Sequence, residues 1–170
     1  RLADLPGVVP DRALEHPLTL VDTAGAGLDE VTEGEGASRS NPGEADHLVV
    51  ALQRWLELGV DPREVGVITP YAAQARLLRE RIGDLQVEVD TVDGFQGREK
   101  EAILVSLVRS NPDGQVGFLA EHRRMNVALT RARRALWVIG DGATLGADPF
   151  YAELWGYAEA TGAYRSVWEL

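Results

Sequence analysis

Short apolar runs alternate along the chain with segments of helical periodicity, and this alternation constrains the fold more than any other feature. The apolar runs lie at residues 18–23, 65–69, 87–89, 102–108 and 135–139, and their lengths are typical of strands. Strands that alternate with helices form a parallel sheet covered by helices on both faces, and such sheets bind ligands in loops beyond the carboxyl ends of the strands. The sequence therefore predicts an α/β fold with functional side chains near strand ends.

Three helices are predicted from capping signals and apolar spacing. Asn41 is a favourable N-cap, Pro42 suits the first helical position, and apolar residues recur at helical spacing until Gly59 ends the run. Residues 72–82 form a second amphipathic pattern. Residues 149–160 form a third pattern, whose aromatic side chains are expected to pack against the sheet.

Length and composition favour one domain with a buried core, expected to span 1–170, because 45% of the 170 residues are apolar. Within it, 1–40 is interpreted as a strand followed by a mobile loop rich in glycine and acidic residues. Residues 41–141 are interpreted as a core that carries the motifs described below, and 142–170 as a helical end. No run of 18 apolar residues is present, which predicts no membrane partner. The lack of signal-peptide features favours a cytoplasmic setting.

Metal and thiol chemistry is not expected of these residues. The chain contains no cysteine, which excludes zinc fingers, iron–sulfur clusters and thiol nucleophiles within it. The three histidines, at His16, His47 and His122, lack the spacing of metal ligands. No metal-binding residue is therefore predicted.

Charge is distributed unevenly along the chain. The formal net charge of −10 at pH 7 argues against a protein that coats nucleic acid with a general basic surface. Residues 1–60 contain eleven acidic residues and four arginines, whereas 121–134 contain five arginines and one acidic residue. The sequence therefore predicts one localised basic region.

The first stretch with a chemical pattern runs from Ile68 to Gln74, where an apolar strand ends at a proline and is followed by a tyrosine and an amide. A ring exposed there would stack on a base, an interaction that is worth roughly 1–3 kcal/mol and tolerates any base. The alternative is that Tyr71 only caps the edge of the sheet.

The second stretch, 90–100, contains two glycines that bracket an aromatic residue and an amide. Glycine permits close approach of the backbone to a ligand. Gln96 has the chemistry to bridge phosphate and water, Arg98 to pair with phosphate, and Glu99 to accept hydrogen bonds from ribose hydroxyls or to hold an arginine. The alternative is a tight turn with surface charges.

The third stretch, 123–134, interleaves arginines with apolar residues that are expected to anchor it. An anchored guanidinium clamps phosphate in a bidentate manner. Placed beside a γ-phosphate as an arginine finger, it accelerates phosphoryl transfer by about 10³–10⁵. The alternative is a solvated basic face.

Two elements of a self-sufficient nucleotide hydrolase are missing from the sequence. No G-x-x-x-x-G-K-[ST] loop is present, and the only lysine, Lys100, follows a glutamate. Asp29 and Glu30 lie in a glycine-rich acidic segment and do not follow an apolar strand, as a magnesium-binding carboxylate does. The isolated chain is therefore expected to lack its own Walker A and Walker B elements and to be inactive.

Taken in order, the three stretches resemble motifs IV, V and VI of superfamily 1 helicases, most closely the up-frameshift-type branch, superfamily 1B. The resemblance covers roughly 38–141, with the similar segments at 67–74, 89–111 and 117–140. It implies a second RecA-like domain with a P-loop NTPase-type parallel sheet. It also implies an ATP-dependent helicase whose upstream RecA-like domain supplies the Walker loop and most of the contacts to Mg²⁺.

The resemblance also implies roles for individual residues. Arg131 corresponds to the arginine finger, and Gln96 is the second catalytic candidate. Tyr71 is expected to stack on adenine within a cofactor-binding set that comprises Tyr71, Gln74, Gly97, Arg98, Glu99 and Arg133. The implied contacts to single-stranded DNA or RNA are Thr69, Thr91 and Asn126.

Two other classes of protein are alternatives to a helicase fragment. A non-catalytic nucleic-acid-binding or regulatory module docked on a partner ATPase would retain the same surface. An unrelated α/β enzyme such as a nuclease requires a cluster of carboxylates for metal at strand ends. Asp90 and Asp93 lie inside the second stretch and Asp141 is alone, so the nuclease alternative lacks its expected site.

Overall fold

A computed structural model describes residues 1–34 and 38–170 of the chain. Within these residues the strands are β1 (Leu18–Asp22), β2 (Val31–Thr32), β3 (Arg39–Ser40), β4 (Val65–Thr69), β5 (Glu88–Thr91), β6 (Lys100–Ser106), β7 (Ala132–Gly140) and β8 (Tyr164–Ser166). Six of them form one sheet in the order β5-β4-β6-β7-β1-β8, with every neighbouring pair parallel. The remaining two, β2 and β3, pair with each other antiparallel.

Helices connect the strands and cover the sheet. They are α1 (Pro42–Glu57), α2 (Ala72–Ile82), α3 (His122–Leu129), α4 (Gly142–Leu145) and α5 (Pro149–Ala160). The helices predicted at 42–59, 72–82 and 149–160 are confirmed. No helix in the described part of the chain has the length and apolar character needed to span a membrane.

Each face of the sheet has its own hydrophobic core. On one face, Leu48 and Leu52 of α1 and Leu78 of α2 join a buried cluster with Val67 and Leu104 of the central strands. On the other face, side chains of α3 and α5 join a second cluster with the alternate residues of the same strands. This alternation follows from the two-residue period of a strand. The predicted α/β fold, a parallel sheet with helices on both faces, is confirmed.

Asn41 begins α1 and also ties this helix to two other segments. Its Oδ1 accepts a hydrogen bond from the Glu44 amide at 3.0 Å, the N-cap interaction that its sequence position predicts. Its Nδ2 donates to the carbonyl oxygens of Leu28 at 2.7 Å and Val108 at 3.2 Å. One buried side chain therefore fixes the start of α1 relative to the segment before it and the segment after β6.

The glycine-rich acidic segment differs from the mobile loop predicted for 24–40. Its described part contains β2 and β3, and the carboxylate of Glu30 is only 9% exposed. That carboxylate accepts hydrogen bonds from Arg109 Nε at 2.8 Å, Ser110 N at 2.9 Å and Asn111 Nδ2 at 3.1 Å. The described part of the segment therefore contains two short strands and a buried ion pair that the sequence did not predict, and 35–37 lie outside the described residues.

The end of the chain contains a strand that the sequence analysis missed. β8 pairs parallel with β1, with Leu20 opposite Tyr164 and Asp22 opposite Ser166. The segment 142–170, predicted to be helical, thus combines α4 and α5 with an edge strand.

Parallel pairing gives the sheet two chemically different edges. The strands end at what we call the carboxyl edge, defined by Asp22, Thr69, Thr91, Ser106 and Gly140. They begin at the amino edge, defined by Leu18, Val65, Glu88, Lys100 and Ala132. A residue that immediately precedes a strand therefore lies at the amino edge, and a residue that immediately follows a strand lies at the carboxyl edge.

Candidate functional site

The structure divides the predicted site residues into two groups. The amino edge carries Arg133, the second residue of β7, and the residues that precede β6 and β7. These preceding residues are Gln96, Gly97, Arg98, Glu99 and Arg131. The carboxyl edge carries Thr69, Tyr71, Gln74 and Thr91, while Asn126 lies on α3 between the edges. Within the described residues, the predicted site residues therefore lie on two separate surfaces.

The turn between β5 and β6, residues 92–99, runs from the carboxyl edge to the amino edge. Phe95 anchors it, because its ring is fully buried against Gly66. The Gly94 amide donates to Thr91 Oγ1 at 3.3 Å, and a Cβ at Gly94 would overlap the Asp90 carboxylate. The glycine and the buried aromatic of this motif thus determine the path of the turn.

Gly97 exposes the backbone of this turn at the amino edge. It has φ +78°, a left-handed conformation that residues with a Cβ rarely adopt, and the space around it is open. The adjacent side chains of Gln96 and Glu99 are also exposed. Glycine is therefore required here by its backbone conformation, and ligand atoms have free access to it.

Replacement of Gly97 by alanine is expected to lower the free energy of unfolding by about 1 kcal/mol, because an L side chain disfavours the left-handed conformation. Gly156→Ala in α5 is the matched control: its Cβ also meets open space, but alanine favours a helix, so stability should rise by roughly 0.5–1 kcal/mol. Urea unfolding of both variants measures the two changes. If both variants changed the free energy of unfolding equally and in the same direction, the backbone conformation of Gly97 would not be the cause.

Arg131 is placed at the amino edge by the short connection from α3 to β7. Its Nε donates to the Val127 carbonyl at 2.9 Å and its Nη2 to Thr130 Oγ1 at 3.1 Å. Its own carbonyl accepts from the Lys100 amide at 3.2 Å, which joins it to the end of the 92–99 turn. Among the described residues no carboxylate lies within 4.0 Å of this guanidinium, so its charge is available to a phosphate.

The neighbouring arginine is held differently. Arg133 Nε lies 3.3 Å from Glu99 Oε2, and its Nη1 lies 3.5 Å from Glu101 Oε1. The hydrogen bonds that Arg133 donates to Glu99 and Glu101 raise the pKa of its guanidinium. Glu99 therefore holds an arginine, one of the two roles that the sequence suggested for it.

Arg98 is occupied by carboxylates of β5. It forms an ion pair with Glu88, and its Nη1 lies 3.8 Å from Asp90 Oδ2. The arginine side chain is 51% exposed, and surface ion pairs of this kind are worth about 0–1 kcal/mol. The predicted contact of Arg98 with phosphate therefore requires only a small rearrangement.

Tyr71, for which the resemblance implies stacking on adenine, is buried in this structure. The residue is only 2% exposed, its ring centroid lies 5.5 Å from that of Phe118, and its hydroxyl accepts a hydrogen bond from Arg109 Nη1 at 3.3 Å. It also follows β4 at the carboxyl edge, whereas Arg131 precedes β7 at the amino edge. The role of Tyr71 in stacking on adenine stays a prediction.

Two further residues predicted to contact ligands, Gln74 and Thr69, are completely buried in this structure. Gln74 Oε1 accepts from the Asn41 amide at 2.8 Å, and its Nε2 donates to Ser106 Oγ at 2.9 Å. Gln74 therefore joins α1 to β6 instead of binding a nucleotide. Thr69 lies in the fully buried β4, where nucleic acid has no access.

Glu44, for which the sequence predicts no role, is a buried carboxyl group beside this network. Its Oε2 accepts from Ser106 Oγ at 2.6 Å and from the Val108 amide at 2.8 Å, while Oε1 has no partner among the described atoms. Burial raises the pKa of Glu44 to about 8. Val108 has φ +73°, a rare conformation for a β-branched residue. The carboxyl group thus stabilises the strained turn that ends β6.

Sequence reasoning also missed Phe118 at the carboxyl edge. It lies in the short 3-10 turn Gly117–Ala120 and is 45% exposed. A Cβ at Gly117 would overlap the Arg109 guanidinium, so the backbone of this turn packs directly on the buried Arg109 and Tyr71 pair. The sequence feature that could have indicated Phe118 is an aromatic residue directly after a glycine in a polar segment.

A cleft of about 960 Å³ opens at the other half of the carboxyl edge. Its lining includes the carboxylates of Asp29, Asp113 and Asp141. Within the described residues no group of three or more histidine, cysteine, aspartate or glutamate side chains is arranged to hold a metal ion. The cleft is therefore acidic, and phosphate groups are repelled from it.

The two remaining predicted contacts to nucleic acid are accessible. Thr91 is partly exposed at the end of β5, where its hydroxyl accepts from the Gly94 amide and retains a free donor. Asn126 is exposed on α3. Their roles stay predictions.

Comparison with known proteins agrees with this architecture. Residues 8–143 match the family described as "AAA domain". The chain is 45% identical to "DNA-binding protein SMUBP-2" of Mus musculus over 99% of this chain and 17% of that protein. It is 42% identical to "DNA polymerase alpha-associated DNA helicase A" of Schizosaccharomyces pombe over 85% of this chain and 23% of that protein.

A third relative, "Regulator of nonsense transcripts 1" of Dictyostelium discoideum, is 40% identical over 75% of this chain and 10% of that protein. The chain thus spans less than a quarter of the length of these three relatives. The AAA domain match, the parallel sheet and the order of the three motifs agree with one another. The chain therefore belongs to the AAA domain family and is the C-terminal RecA-like domain of a superfamily 1 helicase of the up-frameshift-type branch.

Proposed function

We propose that this chain is one half of an ATP-driven motor that moves along single-stranded DNA or RNA. The observation that carries the proposal is the guanidinium of Arg131, which is free of carboxylates in the described structure and lies beside the 92–99 turn at the amino edge. The chain has no Walker A loop of its own. The arginine therefore serves an ATP molecule whose phosphates are bound mainly by an upstream RecA-like domain.

The amino edge supplies three functions to that ATP. Arg131 stabilises the charge that develops on the γ-phosphate during transfer to water. Gln96 orients water or phosphate oxygen, and the exposed backbone at Gly97 permits close approach of the nucleotide. Arg133, held by Glu99, adds a second positive charge near the phosphates or the domain interface.

Magnesium fits this arrangement mainly through the other domain. The described residues contain no group of three or more histidine, cysteine, aspartate or glutamate side chains arranged for a metal ion, and in P-loop nucleotide hydrolases Mg²⁺ is held by a hydroxyl of the Walker loop and a strand-end carboxylate. The ion neutralises phosphate charge when it is bound with ATP. We therefore assign its protein ligands mainly to the upstream RecA-like domain.

The carboxyl edge is the proposed track for the nucleic-acid strand. Thr91 at the end of β5 donates its hydroxyl proton to a backbone phosphate, and Asn126 offers a further amide contact. β5 lies at the opposite end of the sheet from β1 and β8, and the acidic cleft opens near β1 and β7. The separation keeps phosphates away from the carboxylates of the cleft.

ATP hydrolysis by two proteins tests this proposal: the chain alone, and a protein that contains the chain with its upstream RecA-like domain. We expect no turnover by the chain alone, because it lacks a phosphate-binding loop, and strand-stimulated turnover when both domains are present. Turnover by the chain alone would reveal an unrecognised phosphate site. No turnover in either protein would favour a non-catalytic module that docks on a partner ATPase.

A further inference from the structure

Phe118 presents an aromatic ring to solvent at the carboxyl edge. The residue is 45% exposed, whereas the tyrosine behind it is 2% exposed. The ring centroids of Phe118 and Tyr71 lie 5.5 Å apart with an angle of 33° between their planes. One side of the Phe118 ring is therefore supported by another aromatic ring, and nearly half of the residue is open to solvent.

The ring is held in place before any ligand binds. The next residue, Leu119, is completely buried, and its carbonyl accepts a hydrogen bond from the buried hydroxyl of Tyr151 at 2.8 Å. On the other side, Gly117 packs against the guanidinium of Arg109, which is itself fixed by Glu30 at 2.8 Å. A fixed aromatic ring loses little conformational entropy on binding, which favours affinity.

Phe118 also lies beside the proposed track. Its partner Tyr71 follows β4, the strand that pairs with β5, so the ring is near the end of the strand that carries Thr91. Arg124, six residues later, forms an ion pair with Asp93 at 3.0 Å and joins α3 to the turn after β5. A single strand of nucleic acid whose phosphate backbone contacts Thr91 thus passes within reach of the Phe118 ring.

We propose that Phe118 stacks on an unpaired base of the single strand bound at the carboxyl edge. This inference rests on the proposed function and adds to it a residue that contacts a base instead of the phosphate backbone. The ligand is a nucleobase of either DNA or RNA. Stacking on a phenyl ring tolerates every base, because each base has a π-face, and a motor that moves along any sequence requires that tolerance.

Binding of single-stranded oligonucleotides to the protein with both RecA-like domains tests the proposal. Phe118→Leu retains apolar contact with Tyr71 but lacks a π-face, and its affinity should fall roughly 5- to 150-fold, the loss expected when one stacked base is released. Phe118→Trp should retain or increase affinity. Tyr157→Leu is the matched control, because Tyr157 is an exposed aromatic residue (59%) on α5, and its affinity should not change.

Two further measurements separate stacking from a structural effect. Fluorescence of 2-aminopurine placed along the oligonucleotide should be quenched at one position by the wild type and by Phe118→Trp but not by Phe118→Leu. The slope of log affinity against log salt should be the same in all variants, because no phosphate contact is lost. Oligonucleotides of DNA and of RNA are compared throughout.

The outcomes distinguish this inference from the proposed function. One outcome is that the wild type binds the single strand and that Phe118→Leu shows the same affinity and the same quenching. This outcome would overturn the stacking role and leave the proposed function intact. A changed salt slope in Phe118→Leu would overturn it as well, since it would indicate a disturbed phosphate track. A wild-type protein that binds neither DNA nor RNA would overturn both.

Discussion

Replacement of Arg131 by alanine is expected to lower ATP turnover by about 10³–10⁵ in a protein that contains this chain and its upstream RecA-like domain. An arginine finger stabilises charge that exists mainly in the transition state, so the affinity for nucleotide should change little. The guanidinium needs no release from a carboxylate within the described structure before it contacts phosphate. Steady-state kcat and equilibrium nucleotide binding measure the two effects separately.

Two additional variants make this result specific. Arg131→Lys retains the charge but not the planar, bidentate donor geometry, so little turnover should return. Arg54→Ala removes an exposed arginine of α1, which pairs with Asp11 at 2.6 Å, and should leave turnover unchanged. Wild-type turnover in Arg131→Ala would exclude this residue as the finger.

The stability of the chain should depend on pH through Glu44. Burial raises the pKa of this carboxyl group in the folded chain from 4.5 to about 8. Between these pH values the folded state holds a proton that the unfolded state has lost. The contribution of Glu44 to stability is therefore fully present below pH 4.5 and decreases as the pH rises toward 8. The size of the decrease is on the order of 4 kcal/mol between pH 5 and pH 8.

Glu44→Gln isolates this contribution, because the amide resembles the protonated carboxyl group and does not titrate. Urea unfolding of wild type and variant should show a stability difference, wild type minus variant, that falls from pH 5 to pH 8. The control is Glu57→Gln on the same helix, whose side chain is 68% exposed, and its difference should be independent of pH. A constant difference for Glu44→Gln would show that the carboxyl group ionises normally.

Most of the fold was predictable because the signals for it are local. The fully buried β4 lies inside a compact apolar run, and α1 begins where Asn41 and Pro42 predict. By contrast β8 contains Tyr164, Arg165 and Ser166, all partly exposed, so no apolar pattern marks it. Its formation depends on pairing with β1, more than 140 residues earlier.

The errors in the site have a common physical cause, which is that burial is decided by distant residues. The sequence correctly places Tyr71 after a strand, but the ring is covered by Phe118, 47 positions later. Likewise the composition around Glu30 predicts a mobile acidic loop, and its partner Arg109 is 79 positions away. Local composition contains no information about either contact.

In the proposed motor, the spacing between the two edges limits how ATP and nucleic acid influence each other through this chain. β6 has seven residues, which at about 3.3 Å per residue separates the edges by roughly 20 Å. Neither ligand therefore competes directly with the other for contacts. The central strands are almost completely buried, and a densely packed interior resists compression. A displacement imposed at the phosphates should reach the nucleic acid as rotation of one rigid body, so the angle of that rotation sets the length of each step.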